Sequence, residues 1–214
     1  VGEGISEQII TDWLVQVLLY RRNAFEFYDL EGDGAAKRIS ALVTALNPYA
    51  PHAFLIVDNE GEMARYAEKL VADGKLPAEH LLLATDSLEG DNFTVEELIE
   101  TVAAIGADPP DGREPATLAL TPEELCSEHQ KRRDKARKHK PGLADTLLNM
   151  ARNPARGAIN ATKPELAEGL ARLLVSEIQA ATPEAFDAIK ARRPIVKFVA
   201  ERMCPVLNPP RPLS

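Results

Sequence analysis

The chain has 214 residues, 45% of them hydrophobic and 27% charged, with 25 Lys and Arg against 33 Asp and Glu for a formal charge of −8. Those proportions support a buried core and argue against disorder, and no apolar run approaches the roughly 20 residues of a membrane span. Cys126 and Cys204 are too few for a disulfide framework and have no partners at zinc spacing, so a soluble protein of a reducing, cytoplasmic compartment is expected. The chain opens on Val1-Gly2-Glu3-Gly4, with neither an initiator Met nor a charged-then-apolar leader, which reads as a piece of something longer.

Apolar residues at helical spacing, from Ile9 and Ile10 to Val17 and Leu18, predict a first helix over 5–19. Residues 24–28 are short, aromatic and followed by Gly32 and Gly34, the pattern of a strand, and 35–46 is helical again. The continuous apolar run 53–57 predicts a buried strand ending at Asp58; a helix over 60–72 stops at Asp73-Gly74, and 80–84 is the next strand. Thr94 and Glu97 form a capping box for a helix to Ile105. Buried strands alternating with helices predict an α/β domain with a parallel sheet over residues 1–107.

The second half has another rhythm. Residues 108–120 read as a Pro- and Gly-rich linker or one extra short strand. Thr121, with Pro122 at the first helical position, opens a helix expected to run to about Lys140 before Pro141-Gly142. Further helices are predicted over 143–152, 163–180, 183–191 and 194–203. That makes 121–204 a small all-helical domain and 205–214 a frayed tail. The charge divides along the same line: residues 1–107 carry 7 basic and 19 acidic side chains, residues 108–214 carry 18 and 14.

In parallel α/β sheets, sites lie at the carboxyl ends of strands, and the acids of this chain fall there. Glu3 and Glu7 flank the start of the first helix, four residues apart; Asp58 and Glu60 follow strand 53–57; Ser87 and Glu89 follow strand 80–84. Singly, each has an ordinary reading: helix N-terminal acids complementing the macrodipole, a turn residue, a loop residue, a cap. Together they predict a metal site, because carboxylates gathered in one cleft repel one another unless cations sit among them. Mg²⁺ or Mn²⁺ suits an all-oxygen donor set.

These motifs resemble a known family. Glu3-Gly4-Ile5-Ser6-Glu7 is similar to the glutamate motif of Toprim domains, and Val57-Asp58-Asn59-Glu60-Gly61 to their D-x-D motif with Glu in the second acidic place. Ser87-Leu88-Glu89 and Thr162-Lys163-Pro164-Glu165 narrow the resemblance to the OLD (overcoming lysogenisation defect) nucleases of class 2. It implies a Toprim Rossmann-like sheet over 1–107 and a DNA endonuclease using two Mg²⁺ or Mn²⁺ ions. Glu3, Glu7, Asp58, Glu60 and Glu89 would be metal ligands or acids supporting them, Ser87 would support a metal, and Lys163 would act at the scissile phosphate. It also implies an ABC-type ATPase domain upstream. The chain departs from the full pattern in having no G-x-x-x-x-G-K-[ST] loop and no Toprim strand before Val1. A silent DNA-binding or assembly module and another Toprim enzyme, primase- or topoisomerase-like, remain as alternatives.

Basic residues answer the acidic ones. Lys131, Arg132, Arg133, Lys135, Arg137, Lys138 and Lys140 crowd ten consecutive positions, which reads either as a solvated helix end or as a phosphate track for DNA. Arg152, Arg156, Arg192 and Arg193 are candidates to extend it. Lys163 is placed by Thr162 in the first turn of a helix, where the dipole disfavours a cation, a position that invites a functional explanation.

Overall fold

The computed structural model describes residues 4–20, 41, 53–58, 61–136 and 141–207. The expected strand at 24–28 lies outside the described residues, as does the expected helix at 35–46 apart from Ala41, which is helical. What is described is mixed α/β and mainly helical, with one small parallel sheet. Helix α1 spans Ile5–Leu19, strand β1 Leu55–Val57, helix α2 Gly61–Ala72 and strand β2 Leu81–Leu83. The strands pair in parallel with Ile56 opposite Leu82, a pairing that needs a crossover such as α2 because a hairpin cannot supply it.

Strand β1 explains its own unbroken apolar sequence. Successive side chains point to opposite faces, and both faces are covered. Leu55 and Val57 pack with Met63, Ala67 and Leu70 of α2, while Phe54 and Ile56 enter a second, larger core. His80 is absorbed here too, its Nδ1 3.1 Å from the Ala53 carbonyl oxygen and its ring 4.4 Å from that of Phe54.

After β2 comes a one-turn helix that periodicity does not predict, α3 (Leu88–Asn92). It is followed by α4 (Val95–Ala107), α5 (Pro122–Lys135), α6 (Leu143–Ala151), α7 (Lys163–Ala180), α8 (Pro183–Arg192) and α9 (Pro194–Phe198). Capping boxes at Thr94/Glu97, Thr121/Glu124 and Thr162/Glu165 form as their sequences require. Helix α5 ends at Lys135, not near Lys140, because Ala136 turns extended at φ −72°, ψ 127°. The last helical stretch continues past 203: a π-helical turn over Val199–Met203 leads into α10 (Cys204–Leu207), so the tail begins later than expected. Pro205 cannot donate to the carbonyl one turn back, and the widened turn directly precedes it.

The larger core crosses the expected domain boundary. Ile10 and Leu14 of α1, Leu98 of α4, Leu147 of α6 and Leu170 of α7 belong to one buried cluster with Ile56. Segment 108–120 is neither a strand nor a loose linker. Its Ala116 N–H donates to Gly106 at 2.7 Å, its Ala119 N–H donates to Arg156 at 3.0 Å, and Ala116, Leu118 and Leu120 pack half-buried on the core. Gly106 permits the approach: a Cβ there would lie 2.9 Å from the Ala116 carbonyl oxygen and closer still to Ile159.

Candidate active site

Glu7 lies in the first turn of α1 and is only 6% exposed. Gly4 caps that helix in extended conformation without a side-chain bond, and a Cβ there would be 3.4 Å from Glu7 Oε2, so the carboxylate leans back across the helix N-terminus. Asp58, directly after β1, accepts a hydrogen bond from the Leu88 N–H at 2.8 Å. One carboxylate oxygen thereby fastens the end of β1 to the start of α3. Ser87, 4% exposed, caps α3 by accepting from the Gly90 N–H at 3.1 Å. Glu89 sits in the first turn of α3 at 7% exposure, its carboxylate making no hydrogen bond or ion pair to a described residue. It is not the surface loop residue that its spacing alone would allow.

Lys163, the first residue of α7, closes the group. Its Nζ lies 3.0 Å from Asp145 Oδ1, with both side chains about half exposed. Partial burial pulls the lysine pKa down, but the carboxylates of Asp145, then Glu89, then Glu7 more than offset this and hold it above its ordinary value. Two of the predicted site acids, Glu7 of α1 and Glu89 of α3, thus each lie within electrostatic reach of Lys163 of α7. Asp145 had no signal in the sequence. It stands in the first turn of α6, whose N-cap Gly142 rests on Ser87: a Cβ there would be 3.6 Å from Ser87 Cβ and 3.9 Å from Asp145 Oδ2.

Two expected ligands, Glu3 and Glu60, lie outside the described residues. Among the described residues no three His, Cys, Asp or Glu side chains come together as a ready-made metal-binding group. The donor chemistry still fits a hard divalent cation: Glu7, Asp58 and Glu89 offer only oxygen, and Glu89 is a 7%-exposed residue whose carboxylate has no hydrogen-bonding partner among those residues.

Asp86, one residue before Ser87, connects this site to the basic helix. It pairs with Arg133 of α5 and lies 3.8 Å from His129 Nε2, while His129 Nδ1 meets Thr146 Oγ1 at 3.2 Å. Burial lowers the His129 pKa. Asp91 holds the same loop, accepting from the Thr85 and Asp86 N–H groups. Of the basic run, Arg132 pairs with Glu128 at 2.9 Å, Arg133 is engaged by Asp86, and Lys131 and Lys135 are exposed. Arg137, Lys138 and Lys140 lie outside the described residues.

The other arginines considered for a DNA surface are used internally. Arg156 pairs with Glu124 at 2.5 Å, and Arg192 with Glu177. Arg193 is 2% exposed and grips Glu97, Glu177 at 2.7 Å and the Asn92 carbonyl, with Phe93 against its guanidinium. A groove of about 880 Å³ between α4 and α7 contains none of the predicted site residues. Its acids are largely neutralised already, Glu97 and Glu177 by Arg193 and Glu168 by Arg172, so it is the poorer cation site. No protein-family model, curated protein or solved structure matches this chain.

Proposed function

We propose that the chain is the nuclease part of a metal-dependent DNA endonuclease of the class 2 OLD type, with a Toprim core, joined in the full-length protein to an ABC-type ATPase domain. The observation that carries this reading is Glu89, a 7%-exposed residue in the first turn of α3, whose carboxylate makes no ion pair with a described residue and whose field reaches Lys163. A carboxylate so placed leaves negative potential that divalent cations relieve.

Glu7, Asp58 and Glu89, with Glu3 and Glu60 beside them, would hold Mg²⁺ or Mn²⁺, and Ser87 would support a metal from its place at the head of α3. Bound cations supply an activated water and charge stabilisation at the leaving 3′ oxygen. The protein's own groups do the rest. Asp58 aligns α3 through the Leu88 N–H, which orients Glu89. Lys163, protonated and half exposed at the rim, meets the scissile phosphate and stabilises the charge that develops on it. Lys131 and Lys135 face solvent on a helix tied by Arg133 to the residue before Ser87, a position suited to backbone phosphates near the cut. A reducing, cytoplasmic setting belongs to the same reading.

The test is supercoiled plasmid incubated with Mg²⁺, Mn²⁺ or EDTA, using the chain and its Glu89→Gln variant at matched folding. Glu89 is the better probe than Asp58, whose carboxylate also carries a structural hydrogen bond. Metal-dependent nicking lost in the variant is expected. DNA binding without cleavage under any metal would instead identify a silent binding module.

A further inference from the structure

Lys163 stands where a cation has little local support. It begins α7, at the positive end of the helix dipole, and the acid nearest in sequence is committed elsewhere. Glu165 completes the capping box with Thr162 and pairs with Arg113 at 2.6 Å. A lysine is a compact charge on a flexible stem, and Glu89, whose field reaches it, stands on α3 two residues after the Ser87 side chain that meets Gly142. It nevertheless pairs with Asp145, at 3.0 Å, and not with Glu89. Asp145 is fixed by the same contacts that fix the site: its helix starts at Gly142, which packs on the Ser87 side chain.

We propose that Asp145 is the positioning residue of this site, pairing with Lys163 to hold its ammonium at the rim and off Glu89, so that the carboxylate is left to a divalent cation. The inference rests on the metal-site reading above. Released from Asp145, the ammonium would be drawn to the less exposed Glu89 carboxylate and would occupy the position a cation needs. Asp145 thereby separates the lysine's two possible partners, the protein's own acids and the substrate phosphate.

Calorimetric titration with Mn²⁺ of the full chain and of Asp145→Asn, Lys163→Gln and the double variant tests this. Asp145→Asn should weaken Mn²⁺ binding about tenfold, within the range of coupling between contacting residues. Lys163→Gln should bind Mn²⁺ at least as tightly as the unaltered chain, and adding Asp145→Asn to it should change nothing further. Equal weakening by Asp145→Asn in both backgrounds would make Asp145 a ligand or a scaffold residue and overturn the proposal, as would no weakening at all. A metal-free crystal structure of Asp145→Asn supplies the independent arm. Lys163 Nζ should move to hydrogen-bond distance of Glu89, and an ammonium still beside position 145 would contradict the inference. If the unaltered chain binds no Mn²⁺, the metal-site reading fails, and the metal-free structure decides the pairing by itself.

Discussion

Among the described residues, the charges around Arg193 and those around Lys163 are built differently. Around Arg193 each guanidinium nitrogen has a partner: the group takes Glu97, Glu177 and the Asn92 carbonyl, and the Asn92 side chain in turn accepts from the Ile195 N–H at 2.8 Å. Around Lys163 the arrangement is open. Glu89 has no ion pair with it, Glu7 acts on it only through its field, and the bond that the lysine does make is to the half-exposed Asp145. A closed network of opposite charges fixes the chain, here tying the end of α3 to the start of α9. An open one of predominantly negative groups is poised for something the chain does not itself supply.

The contrast can be broken from either side. The largest effect is expected at Glu89→Gln, with cleavage falling on the order of 10³-fold, as for loss of a group that stabilises charge in the transition state, and with the urea midpoint unchanged or raised. Equal losses of activity and stability would place Glu89 with the structural charges. Next comes Arg193→Met, expected to cost about 3 kcal/mol in urea unfolding because it removes the ion-pair partner of the part-buried Glu97, one of the two arginines on Glu177 and the donor to the Asn92 carbonyl. A cost near zero would show that the network is not what ties α3 to α9. Removing both exposed lysines, Lys131→Gln with Lys135→Gln, should reduce the slope of log binding constant against log salt by about 2, with Mn²⁺ affinity unchanged. An unchanged slope would make α5 a solvated helix only.

The smallest expected effect is a pH dependence at His129. Burial lowers its folded pKa, so between that value and the unfolded value of about 6.5 the unfolded chain binds more protons. The stability it contributes is complete above about pH 6.5 and declines as the pH falls through that window. His129→Gln should flatten this part of the profile, and an identical profile would leave the decline to other groups.

Elements with local punctuation were legible in the sequence. Thr94/Glu97 and Thr162/Glu165 each announce a helix by chemistry contained within four residues, and the start of α7 falls where that chemistry puts it. The features that escaped depend on tertiary contact. Helix α3 is too short to show periodicity. The end of α5 at Lys135 has no breaker, while Pro141-Gly142 offers a later and more obvious stop. Segment 108–120 is irregular, and only its hydrogen bonds to Gly106 and Arg156 mark it as packed. Arg193 reads in sequence like any surface arginine, and nothing near it predicts carboxylates from α4 and α7. The same holds for the site. Glu7, Asp58, Ser87, Glu89 and Lys163 were legible because strand ends and a cap position single them out. Asp145 and Asp86 were not, because their roles consist of contacts with residues distant in sequence, Lys163 for the one and Arg133 and His129 for the other.

The most direct test of the central claim compares thermal unfolding with and without Mn²⁺ for the unaltered chain and for Glu89→Gln. A cation bound by the folded state raises the midpoint by mass action. The account predicts a midpoint that rises with Mn²⁺ in the unaltered chain, no rise in Glu89→Gln, and a metal-free variant at least as stable as its parent. The same rise in both proteins, or none in either, would contradict it.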